Sequence, residues 1–185
     1  MLAAGTVASW VINLANESHD IPIIKKVPNF SLINQNGDPF TEKDLINKIT
    51  VLDFFFTNCP GPCPIMTHNM KNLYNDFSST DAVQFVSITV DPENDSYEIL
   101  KTYSKINGVE DQRWQFLTSD LSSIKVLKQG GFMLFADELP QGHAIKFILI
   151  DEKGNIRKYF DGTDDASIAI LKKDITQLVK QIRSI

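Results

Sequence analysis

The sequence predicts an α/β protein in which helices cover a central mixed sheet from both sides, a three-layer sandwich with an N-terminal β-hairpin extension. Three observations predict it. Residues 49–56, ITVLDFFF, are a near-continuous apolar run rich in β-formers, as a strand buried on both faces is. Residues 65–77 then switch to helical spacing, with Met66, Met70, Leu73 and Phe77 on one stripe. Strand and helix go on alternating to residue 128, which implies βαβ units and parallel strands, and a late hairpin adds one antiparallel edge.

The elements follow in order. Residues 16–27 read as an extended lead-in, because Pro22 and Pro28 oppose helix. Residues 29–33 are a short strand, Asn36-Gly37 a turn, and Pro39-Phe40 the start of the return strand. Thr41 followed by Asp44 marks a short helix to about Ile46. Beyond the central strand and its helix, residues 83–90 form a second buried strand. Residues 96–106 form a helix capped by Asp95 or Ser96. A third strand at 114–117 and a third helix at 120–128 end at Gly130-Gly131. Residues 144–150, AIKFILI, are another core strand that turns at 151–154, pairs back antiparallel over 155–160, and leads into an amphipathic helix at 164–182. The order β-α-β-α and then β-β-α is the thioredoxin-like arrangement. Residues 27–185 make one domain, preceded by the lead-in 1–26.

The chain has 185 residues, enough for one domain to bury a core unaided. Hydrophobic residues at 43% and charged residues at 22% match a globular chain and exclude wholesale disorder. A net charge of −5, with no basic run, argues against nucleic acid as a partner. Residues 2–15 are mostly apolar but shorter than the ~20 residues that span a bilayer. No Lys or Arg precedes Lys25, so the positive start of a secretory signal is missing. The segment reads equally as the remnant of a membrane anchor and as a short surface helix.

The two cysteines lie four positions apart in Thr57-Asn58-Cys59-Pro60-Gly61-Pro62-Cys63-Pro64, so they can share one site but cannot staple distant parts of a fold. Each proline pushes its predecessor out of the α region, which predicts Cys59, Gly61 and Cys63 extended or turned. Pro64 suits the first position of the next helix. Both sulfurs then sit in a stiff loop above a helix N-terminus, whose partial positive charge lowers a thiol's pKa. Such a dithiol closes a disulfide or grips a soft ion. Buried cysteines acting as small apolar residues would not need proline at alternate positions.

Of three histidines, His19 falls in the lead-in and His68 off the apolar stripe of its helix. His143 differs, standing immediately before the core strand AIKFILI, at the sheet edge where the cysteines emerge. Thioredoxins place a cis-proline near this point, and no Pro lies between Gln141 and Glu152. Two thiolates and one imidazole suit Cu(I), with Zn(II) the competitor, and zinc prefers a fourth ligand. Asp91 ends a core strand at the same edge, where it either orients His143 from the outer shell or begins a turn. Asp95 is expected to cap the helix that follows.

At these residues the sequence resembles the Sco/SenC family of copper-binding thioredoxin-like proteins. Cys59-Pro60-Gly61-Pro62-Cys63-Pro64 after Phe56-Thr57 is similar to the family's T-x-C-P-x-x-C-P motif. Val90-Asp91-Pro92-Glu93-Asn94-Asp95 resembles its V-D-P-x-x-D motif. His143 with the strand and turn after it resembles the family's ligand histidine. The resemblance implies copper held by Cys59, Cys63 and His143, as Cu(I) and in some states Cu(II). It implies assembly of the CuA centre by delivery to an apo cytochrome c oxidase subunit or another copper protein. It also implies a membrane tether in the bacterial periplasm or, alternatively, the mitochondrial intermembrane space. A monomer is expected. The alternative is a thiol–disulfide oxidoreductase that keeps partner cysteines reduced, with Cys59 and Cys63 as catalytic pair and no need of His143. A peroxidase of peroxiredoxin type shares the fold and a Thr two residues before a Cys, but the alternating prolines and the second Cys at this spacing argue against it.

Overall fold

The computed structural model describes residues 20–137, 139–140 and 144–183. The apolar segment 2–15, His19 and His143 lie outside the described residues.

Among the described residues eight strands form one sheet: β1 (Lys25–Lys26), β2 (Ser31–Asn34), β3 (Pro39–Thr41), β4 (Ile49–Phe55), β5 (Val83–Thr89), β6 (Trp114–Thr118), β7 (Lys146–Ile150) and β8 (Asn155–Asp161). Their spatial order is β1-β8-β7-β4-β5-β6-β2-β3. The helices are α1 (Cys63–Asp76), α2 (Tyr97–Ile106), α3 (Leu121–Val126) and α4 (Asp165–Arg183). β4, β5 and β6 run parallel, as the βαβ pattern predicts, with β4 paired to β5 from Ile49↔Val83 to Phe55↔Thr89. Every residue of β4 and of β5 is buried.

Antiparallel strands flank the parallel centre on both sides rather than one. β7 and β8 form the expected late hairpin, while the β2–β3 hairpin closes the other side through β6. Lys25–Lys26, read in sequence as lead-in, pairs with β8 as a two-residue edge strand. The adjoining stretch is held by Arg157, whose guanidinium donates to the Ile21 and Pro22 carbonyls and pairs with Asp151 at 3.0 Å.

Successive side chains of β4 point to opposite faces, and this builds the layers. Phe55 packs against Tyr103 of α2, which hydrogen-bonds Thr67 of α1 at 3.0 Å. α4 joins the same layer through Lys172–Asp76. Phe54 faces the other way, against Phe132 and the Lys128 ammonium. Here α3 does not stop at Gly130-Gly131 but continues as a π-turn over Leu127–Gly131. A Cβ on Gly131 would lie 3.0 Å from Leu127 Cδ1 and from Pro28 Cγ, so the glycine lets this turn close against Pro28 instead of ending it. At the first hairpin, Gly37 takes φ 86°, and Asn34 Oδ1 accepts from Asn36 N and Asp38 N. Thr41 and Asp44 form the expected capping box, on a single 3₁₀ turn.

Candidate metal centre

β4 ends at Phe55, whose carbonyl accepts from Val90 N at 2.8 Å, and the cysteine loop leaves the sheet beside the end of β5. The loop is tied there by Asp95. One carboxylate oxygen accepts from Thr57 N at 3.0 Å and from Thr89 Oγ1 at 2.5 Å. The other accepts from Thr57 Oγ1 at 2.5 Å. Asp95 is 1% exposed. It is therefore not the cap of α2; Ser96 is, through a bond from Ile99 N. The V-D-P-x-x-D motif carried a sequence signal for Asp95, but helix capping is only one use of an acid before a helix.

Asp91 takes part in the turn between β5 and α2. Its carbonyl accepts from Asn94 N and Asp95 N, and both its carboxylate oxygens accept from Asn94 Nδ2 at 3.0 Å.

Cys63 is the first residue of α1, which corrects the expectation that it is extended or turned. Pro62 adopts φ −75°, ψ −20° and its carbonyl accepts from Met66 N at 3.0 Å, so Pro64 falls second in the helix. The first four helical N–H groups lack intrahelical partners, so Pro64 loses no bond there. The steric restriction before proline disfavours the α region without forbidding it. Packing of a core thiol outweighs it, for Cys63 is 1% exposed. Cys59 is half-buried in the loop, its N–H on the Phe56 carbonyl at 3.4 Å, between exposed Asn58 and Pro60.

The two cysteine side chains hydrogen-bond each other. Burial pushes the Cys63 thiol well up, reinforced by the nearby Cys59 and Asp53 and opposed by a bond from the Phe56 backbone. A helix N-terminus lowers a thiol's pKa, but desolvation is the larger effect here.

By sequence alone Asp53 is one acid inside an otherwise apolar strand. It is 2% exposed, and its Oδ1 has no hydrogen-bond partner among the described residues. The Ser87 hydroxyl, which accepts from Trp114 Nε1 at 3.0 Å, bonds Asp53. Burial raises its pKa from 3.8 to about 7. A single acid inside ITVLDFFF was the available signal. Lys128 lies on the opposite face, 0% exposed, with its ammonium on the Phe135 carbonyl. Burial lowers its pKa from 10.5 to about 8.

Beside the loop opens a cleft of about 400 Å³ whose lining includes Thr57, Asn58, Glu98, Ile99, Tyr103 and Ile106. His68 is exposed, as its place off the apolar stripe predicts. Among the described residues no three His, Cys, Asp or Glu side chains converge on a common metal position. Cys59 and Cys63 bring two soft sulfur donors to one place, and His143, the third donor expected from sequence, lies outside the described residues. No helix among the described residues is long and apolar enough to cross a membrane.

Comparison with known proteins bears on this geometry. A family model described as SCO1/SenC matches residues 22–180. A SCO1/SenC family lipoprotein from Bacillus anthracis superposes with a TM-score of 0.77 and 34% identity, covering 84% of this chain and 95% of that one. BsSco, described as a member of the Sco family of cytochrome c oxidase assembly proteins with a disulfide switch, gives 0.75 and 26%, covering 85% and 95%. Arabidopsis thaliana ScoI with copper bound gives 0.69 and 26%, covering 82% and 98%.

Proposed function

The chain belongs to the SCO1/SenC family, and from that premise we propose that it is a copper metallochaperone. It holds one Cu(I) between Cys59, Cys63 and His143 and passes it to an apo cytochrome c oxidase subunit during CuA assembly. The observation that carries this is the contact between the Cys59 and Cys63 side chains at the β4–α1 junction. Two sulfurs and one imidazole form a donor set suited to Cu(I). The relative from Arabidopsis thaliana, at 26% identity, contains copper, which supports the cargo. BsSco's description as an oxidase assembly protein supports the partner.

The two sulfurs divide the work. Half-buried Cys59 is the ligand that an incoming thiolate reaches first, so exchange begins there. Buried Cys63 keeps its bond until the partner's second ligand arrives. Each exchange replaces one copper–sulfur bond by another and needs no electron transfer. Asp91, at the same edge, is proposed to act on the site from the outer shell. The protein works as a monomer at a membrane, in the bacterial periplasm or, alternatively, the mitochondrial intermembrane space, and the description of the Bacillus anthracis relative as a lipoprotein supports the membrane association.

The contact between the thiols also favours a second reading, a thiol–disulfide oxidoreductase in which Cys59 attacks and Cys63 resolves. An anaerobic Cu(I) titration of the reduced protein against a competing chelator separates the two. Tight 1:1 binding that needs both cysteines and His143 supports the chaperone. Weak binding, with turnover of a disulfide substrate that ignores His143→Ala, supports the oxidoreductase.

A further inference from the structure

We infer that Asp95 is a positioning residue for the Cys59 thiol, pinning the chain two residues ahead of it to the end of β5. The inference deepens the proposed function, since Cys59 is one of the proposed ligands, but its geometry stands on other residues.

The two sulfurs are held by different means. Cys63 needs no outside anchor, because it opens a fourteen-residue helix and is 1% exposed in the core. Cys59 lies in a loop whose next residues, Pro60 and Gly61, are exposed, and its own N–H makes a 3.4 Å bond. The firm attachment comes two residues earlier, at Thr57, which gives both its N–H and its hydroxyl to the Asp95 carboxylate. Thr89 Oγ1 supplies the third donor.

Asp95 is itself fixed from behind. Its N–H bonds the Asp91 carbonyl at 2.9 Å, and Thr89 Oγ1 also accepts from Asp91 N at 3.1 Å. A buried carboxylate must keep its donors, because losing them leaves a desolvated charge. Displacing Thr57 would strip two of the three. The loop is thereby locked to the strand end through a carboxylate bonded to Thr57 on one side and Thr89 on the other.

The test uses the full chain, reduced, as Asp95→Asn, Thr57→Val and the double variant. Alkylation of each cysteine by iodoacetamide is followed by peptide mass spectrometry, beside Cu(I) competition and thermal unfolding. Asp95→Asn should raise the Cys59 alkylation rate several-fold while the Cys63 rate stays within about two-fold. Cu(I) binding should weaken by roughly 10–100-fold, the range found when outer-shell partners of ligands are removed. Thr57→Val should act in the same direction but less, and the double variant should fall short of the sum, because the two residues share one set of bonds.

If the rates at both cysteines rise together, Asp95 merely supports the fold and the inference is overturned. If neither rate changes in a folded variant, it is overturned as well. Should Asp95→Asn fail to fold, Thr57→Val, which deletes one hydroxyl, decides by the same pair of rates. If the wild type binds no Cu(I), the chaperone reading falls, and the alkylation rates still judge Asp95.

Discussion

Cys59 and Cys63 are four positions apart in sequence and occupy different environments. Cys63 belongs to the core, packed as the opening residue of α1 with its thiol pushed up by burial. Cys59 belongs to a surface loop and is half-buried. Proline at alternate positions stiffens the link between them, yet the two ends are anchored by unrelated physics: apolar packing at one, hydrogen bonds to a buried carboxylate at the other. In the proposed copper site, one ligand would stay and one would be open to a partner.

The largest expected effect tests that division. Cys59→Ser and Cys63→Ser should each weaken Cu(I) binding by more than about 100-fold, beyond the range for outer-shell changes. Their stabilities should differ. Cys63→Ser buries a hydroxyl in a core position and should lower unfolding free energy by about 1–3 kcal/mol in urea melts. Cys59→Ser should stay within about 0.5 kcal/mol, as surface changes do. Equal losses of stability would break the comparison.

Asp53, beneath the buried end, gives the next effect. Its folded pKa, about 7, lies above the ordinary 3.8, so between these values the folded state holds a proton that the unfolded chain has released. Stability from this group is therefore present below pH 4 and lost as pH rises through 7. Asp53→Asn removes the titration. The variant's stability relative to wild type should improve by a few kcal/mol from pH 4 to pH 7.5, an order of magnitude set by 1.36 kcal/mol per pKa unit. A difference that does not change with pH would show Asp53 ionised throughout.

A smaller contrast lies in reactivity. At pH 8 iodoacetamide should modify Cys59 well before Cys63, because burial raises the Cys63 thiol. Equal rates would mean that Cys63 is open to solvent. The smallest effect is at Gly61. A Cβ there would meet Cys59 Sγ at 4.0 Å, an ordinary contact, so Gly61→Ala should change stability by no more than about 0.5 kcal/mol and leave copper binding alone.

Much of this was legible in the sequence. ITVLDFFF and AIKFILI announced β4 and β7 because a strand buried on both faces has no polar side to show. The helical stripes of α1 and α4 were equally plain. The paired cysteines declared themselves by spacing. What stayed hidden depends on tertiary contact. Lys25–Lys26 has no apolar pattern and becomes a strand through pairing with β8. The π-turn past Gly130 follows from close packing on Pro28. Cys63 adopts helical geometry against the local preference before proline. Asp95 could be a cap or an anchor by sequence, and only the position of Thr57 decides. The sign of the Cys63 shift turned on burial, which the helix-end argument did not weigh.

The most direct measurement is an anaerobic Cu(I) competition titration of the reduced chain beside Cys63→Ser and His143→Ala. The account predicts one tight site per chain, weakened strongly by both substitutions. Weak binding in the wild type, or tight binding indifferent to His143→Ala, would contradict the three-ligand site.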